Sequence, residues 1–168
     1  MRRSLIRVGA LAAMAGGLLR VAASFAPTAI SSDLQRESLY VVVDVCLTIG
    51  LLGFWALRST DLGRRGAIGV VITLVGIVTI RANRLIGVVD LYPAGALAVA
   101  SGTIVVSVSA WVVKRIPGWI PLMFLLSTLV GVMGSVLEGA DVVFVASGVM
   151  FGVAFAGLGL NTWVASNT

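Results

Sequence analysis

Three ionisable residues lie inside long apolar stretches of this chain: Arg20, Asp44 and Arg81, with Arg84 about one helical turn beyond Arg81. A charge at the centre of a bilayer costs about 2.5–3.5 kcal/mol on insertion scales, so such groups face a bundle interior and find partners. A carboxylate between two guanidinium groups stays ionised, because a nearby cation favours the charged form. The set therefore carries a net positive charge. Arg81, Asn83 and Arg84 add forked and amide donors suited to a carboxylate or a phosphate. The chemistry on offer is capture of a small anionic solute. The same residues also have a purely structural reading. Arg20 and Asp44 then form an ion pair that locks two helices, and Arg81 and Arg84 extend toward lipid headgroups.

Covalent chemistry has little to work with. The chain has no histidine and a single cysteine, Cys46. That removes Ser-His and Cys-His nucleophiles, HExxH metal sites, histidine-ligated haem and any Cys-x-x-Cys couple. No GxxxxGK[ST] phosphate loop is present. We expect no catalytic residue, no metal and no cofactor. Glu138 and Asp141 place two acids three residues apart, a pattern that a solvated loop explains. Thr103 and Ser107 form a hydroxyl stripe, and such hydroxyls usually bond back to helix carbonyls.

The elements that must carry these residues follow from composition. Of 168 residues, 59% are hydrophobic and 11% charged, and the mean hydropathy is +1.09. Soluble domains are about 45–50% apolar and about 25% charged. A soluble globule, a disordered chain and a nucleic-acid-binding module are therefore all disfavoured. The sequence predicts an all-α, polytopic integral membrane bundle with six transmembrane helices, over 5–25, 39–57, 67–87, 92–113, 118–137 and 143–164. Each run is close to the roughly 20 residues that cross a hydrocarbon core of about 30 Å. Helix is the spanning element because lipid offers backbone groups no partners. The connections are too short for a soluble domain, so residues 1–168 read as one transmembrane domain.

Residues 1–7, 8–19 and 21–23 also have the outline of a cleavable signal peptide. Arg20 between the apolar stretch and the small-residue site speaks against cleavage, and the expectation is six spans.

Orientation follows from the basic residues. Arg2, Arg3, Arg7, Arg58, Arg64, Arg65, Lys114 and Arg115 fall on one side, with the single acid Asp61. That side is expected to be cytoplasmic, as are both termini, in the plasma (inner) membrane. Trp55, Trp111, Trp119 and Trp163 then mark the cytoplasmic edge, and Tyr40 and Tyr92 the outer edge. At 1.5 Å per residue, Arg20, Asp44 and Arg81 all lie roughly 8–9 Å below the outer edge.

Glycine occurs 20 times, well above the usual share of about 7%. Gly148, Gly152 and Ala156 recur every four residues, as do Gly9 and Ala13, Gly131 and Ser135, and Ala94, Ala98 and Gly102. Such spacing brings membrane helices close together. It serves packing inside the bundle or an interface with a second copy or a partner subunit, most naturally through Gly148, Gly152 and Ala156.

In size and span count the chain is similar to the substrate-binding subunits of energy-coupling-factor importers, a likeness of outline without a motif. That likeness, with the buried charges, implies a small transport or channel module, or a substrate-binding membrane subunit. The alternative is a non-catalytic structural subunit whose charges only fix packing. The partners implied are the lipid bilayer, a small anionic solute and another membrane subunit. Topology is directly testable: reporter fusions after Arg65 and Lys114 should read cytoplasmic, and those after Gln35 and Gly139 external. An external readout after Arg65 would overturn the orientation.

Overall fold

The computed structural model describes residues 2–86, 90–136 and 141–167, with side chains for all of these except 2, 28, 84–86 and 136. Helix makes up 92% of the described residues, which contain no strand. Six helices follow in order: α1 (Arg2–Ser24), α2 (Ala26–Ala29), α3 (Asp33–Ile86), α4 (Tyr92–Val112), α5 (Trp119–Val136) and α6 (Asp141–Asn167).

Prolines set several of the helix starts. Pro27 and Pro93 occupy the first turns of α2 and α4, and Pro121 the first turn of α5. Proline is tolerated there because the first amides of a helix have no intrahelical acceptor.

Among the described residues, four helices are long and apolar enough to cross a membrane: Arg3–Ser24, Asp33–Asn83, Tyr92–Val112 and Asp141–Asn167. The count differs from the six expected spans for two reasons. The runs 39–57 and 67–87 fall within the single helix α3, and the apolar part of α5, Trp119–Ser135, is shorter than the others. The expected connection at 58–66 is itself largely helical. Only Gly63 leaves helical geometry, at φ 54° and ψ −148°. That region is essentially open to glycine alone, because a Cβ would meet its own backbone. Gly63 therefore divides α3 into helical stretches 33–62 and 64–86. Arg58, Ser59 and Thr60 continue the first, because they carry ordinary helix geometry and no proline.

The chain forms two compact units, residues 1–57 with 118–168, and residues 58–117. In the first, α1 is sandwiched between two helices. On one side it runs antiparallel to the first part of α3, and Gly9 meets Gly53 with the two Cα atoms in direct apposition. A Cβ on Gly50 would stand 2.7 Å from the Cα of Ala13, and one on Gly16 2.9 Å from the Cβ of Cys46. On the other side α1 runs antiparallel to α6. A Cβ on Gly17 would stand 2.5 Å from both the Gly152 carbonyl and the Ala156 amide. The Gly148–Gly152–Ala156 stripe is thus taken up against α1 within the chain. At the ends of these helices the Arg7 guanidinium donates to the Asn167 amide oxygen at 2.9 Å.

Helix α5 lies on another face of α6. Phe124, Phe151 and Phe155 form an aromatic cluster there, two of its contacts edge-on and one stacked. Beside it, Ser127 and Ser147 each donate to the other's backbone carbonyl, at 2.9 and 2.8 Å. This reciprocal pair satisfies both hydroxyls where water is scarce.

The second unit is a hairpin of residues 64–86 and α4. Gly69 and Gly76 face Gly102 and Gly95 across it. Thr73, Thr103 and Ser107 are buried in the seam. Their hydroxyls donate to carbonyls three or four residues earlier on their own helices, as the spacing of Thr103 and Ser107 predicts.

The outer surface is apolar: Leu18, Leu34, Val78, Val112 and Val142 are all largely exposed. Such a surface suits lipid rather than water. Gly63→Ala should lower stability by about 1–3 kcal/mol through backbone strain alone, since nothing lies within 4 Å of its Cβ position. Thermal unfolding in detergent would measure it, and an unchanged midpoint would show that the break is not held in this conformation.

Candidate functional site

Arg20 lies one turn before the end of α1, half-buried. Its backbone carbonyl accepts the Ser24 hydroxyl at 2.9 Å. The side chain reaches α6 at Gly148, where a Cβ would stand 3.7 Å from an Arg20 guanidinium nitrogen and would overlap the Ser24 hydroxyl. Gly148 thus leaves room for two polar groups of α1 at a helix contact that is otherwise apolar.

Asp44 lies on the first part of α3, also half-buried. Its level relative to Arg20 can be read from the contacts along the α1–α3 seam. Toward the end of α1 the Tyr40 hydroxyl donates to the Ala23 carbonyl at 3.3 Å. Further down, Gly16 meets Cys46. Arg20 lies between Gly16 and Ala23, and Asp44 between Tyr40 and Cys46. The antiparallel register therefore brings the two charges to one level of the seam.

Arg81 belongs to the second unit and is half-buried on α3. Asp44 and Arg81 both have interaction partners. Arg84 follows on the same helix by its backbone, while its side chain and Glu138 lie outside the described residues. Asn83 has a different role from the ligand donor expected of it. Its amide oxygen accepts the Leu91 backbone amide at 2.6 Å, and its amide nitrogen donates to the Asp90 carboxylate at 3.3 Å. Asp90 also accepts the Tyr92 amide at 3.1 Å. These bonds join the end of α3 to the start of α4 and satisfy amides that a helix start leaves open.

At the opposite end of that hairpin is a charge network that sequence reasoning passed over. The Arg115 guanidinium grips Asp61 with two donors, Nη2 to Oδ1 at 3.0 Å and Nε to Oδ2 at 2.9 Å. Arg58 approaches the same Oδ2 at 3.8 Å. The Arg58 side chain is only 15% exposed, and its Nε is buried without an acceptor. Burial, and secondarily the nearby Arg115, lower the Arg58 pKa, and Asp61 opposes that shift without overcoming it. Arginine stays charged in proteins, so the shift expresses the cost of burying this cation rather than a pH switch. The signal in the sequence was Asp61 itself, the one acid among the eight basic residues expected on one side.

Among the described residues, no three of Cys, Asp and Glu gather into a group that could hold a metal ion. No protein-family model, no curated protein and no solved structure matches this chain. The helices and their apolar surface point to a membrane protein.

Asp61→Asn should destabilise the protein by about 1.5–3 kcal/mol, the usual range for a hydrogen bond to a charged group. It leaves two converging guanidinium groups without a counter-charge. Thermal unfolding of the purified variant against wild type would measure the loss. An unchanged midpoint would mean that the Arg115–Asp61 bond is not populated.

Proposed function

We propose that this protein crosses the plasma (inner) membrane six times and acts as a small transport or channel module, or as the substrate-binding membrane subunit of one. It holds a small anionic solute in its outer half, through Arg20, Asp44, Arg81 and Arg84. Both termini are cytoplasmic.

The length of α3 supports six crossings. A straight helix of 54 residues would run about 81 Å, far more than one hydrocarbon core of about 30 Å. The break at Gly63 leaves a crossing length on either side. Helix α5, at 18 residues, covers about 27 Å and is adequate for a thin or locally adapted bilayer. The antiparallel packing of α1 on α6, with Arg7 bonded to Asn167, favours an even number of crossings.

The observation that carries the solute site is the common level of Arg20 and Asp44, both half-buried, on two antiparallel apolar helices. Ionisable groups at such depth mark ion and substrate pathways by default. Guanidinium donors suit an anion. A second reading, a structural subunit whose charges fix helix register, is favoured by the fit of Arg20 and Ser24 against Gly148.

One set of variants separates the two. Small carboxylates and inorganic phosphate would be screened for thermal stabilisation of the detergent-solubilised protein. In the solute reading, at least one of these anions stabilises wild type, and Arg81→Ala abolishes the shift while the apo variant still folds. In the structural reading none does. Arg20→Ala and Asp44→Asn then each lower stability, and exchanging the two charges (Arg20→Asp with Asp44→Arg) restores it.

A further inference from the structure

We infer that the basic end of the second unit, built from Arg58, Arg64, Arg65, Lys114 and Arg115 around Asp61, is a binding site for the phosphate of an acidic phospholipid headgroup. This rests on the membrane-spanning part of the proposed function and is independent of the solute site.

The network brings two segments far apart in sequence to one place. The Arg115 fork on Asp61 ties the turn after α4 to the stretch of α3 that carries Arg58, Arg64 and Arg65. The Asp61 carboxylate takes Arg115 and Arg58, and Arg64, Arg65 and Lys114 stand within a few residues of that network in sequence. Both oxygens of that carboxylate are engaged by Arg115, and Arg58 is left at 3.8 Å with a buried Nε that has no acceptor. A buried guanidinium N–H without a partner is costly. An anion beside Arg58 would supply the missing acceptor. Arg64, Arg65 and Lys114 are exposed and free to add charge from outside.

The backbone at Lys114 points the same way. Helix α4 ends in a Schellman turn, with the Arg115 amide on the Ala110 carbonyl and the Lys114 amide on the Trp111 carbonyl, both at 2.8 Å. The residue in the left-handed position of such a turn is usually glycine. Here it is lysine, at φ 57°. The chain accepts this conformation with a cation in place.

The surroundings decide between a lipid phosphate and a free one. Trp111, Val112 and Val113 lead directly into Lys114 and are 52%, 63% and 40% exposed. An exposed tryptophan at a helix end sits at headgroup level, and the valines beside it offer acyl chains an apolar surface. A phosphate held at this level with its apolar tail on those side chains is that of a lipid. Basic pockets at the cytoplasmic ends of membrane helices bind such headgroups.

The test uses the full-length protein in neutral detergent, titrated separately with phosphatidylglycerol, phosphatidylcholine and inorganic phosphate. Thermal midpoint and native mass spectrometry of retained lipid are the readouts. Phosphatidylglycerol should raise the midpoint and remain bound, whereas the other two should do neither. Arg64→Gln, Arg65→Gln and Lys114→Gln should each weaken the apparent affinity roughly fivefold, given about 1 kcal/mol for each basic residue near an anionic surface. Arg3→Gln with Arg7→Gln removes two cations from the first unit and should leave binding unchanged. Equal stabilisation by inorganic phosphate would overturn the lipid assignment. Equal loss in the Arg3 and Arg7 variant, or no loss in the other three, would overturn the site. A failed topology would show in the reporter fusions, and a failed solute site in the Arg81 variant. Neither result would alter the lipid titration.

Discussion

Direct backbone contact between helices is the constraint on which the first unit depends. In lipid there is no hydrophobic gain in bringing one apolar helix against another, so association relies on close packing and interhelical hydrogen bonds. Helix α1 meets this demand on two sides at once. Gly9, Ala13 and Gly16 take the first part of α3, and Gly17 takes Gly152 and Ala156 of α6. Side chains of ordinary size on these faces would hold the helices further apart and remove much of the contact. The second unit uses the same device, with Gly69 and Gly76 against Gly102 and Gly95.

Polar groups are admitted to these seams on strict terms. Thr73, Thr103 and Ser107 bond back to their own helices, so they cost the seam little. Ser127 and Ser147 bond across to each other and add a directional tie between α5 and α6. Ser24 bonds to Arg20 and, like the Arg20 guanidinium, fits where Gly148 has no side chain. Each arrangement removes an unsatisfied donor from apolar surroundings, where it would be most expensive.

The hairpin of the second unit is finished differently at its two ends. At one end neutral and acidic groups close it: Asn83 and Asp90 occupy the amides at the start of α4. At the other, a carboxylate collects two guanidinium groups. At the first end each polar atom named has a partner. The second keeps a surplus of positive charge and a buried donor without an acceptor. That difference separates a structural cap from a surface with capacity for a ligand.

The helical state of the chain was legible in its residues. Long apolar runs leave backbone groups no partner but one another, so helices were the necessary outcome. Other features depended on tertiary contact. Nothing in the spacing of Gly148, Gly152 and Ala156 says whether they meet α1 or another molecule, since the same small surface suits both. The role of Asn83 could not be read either, because its partners lie across a turn. Asp61 stood out in sequence only as a lone acid, and its grip on Arg115 needed the two ends of a hairpin to be brought together. The residues determined which segments are helical and where charge is tolerated, because those are local properties. Which face meets which neighbour is a property of packing, and only the folded chain decided it.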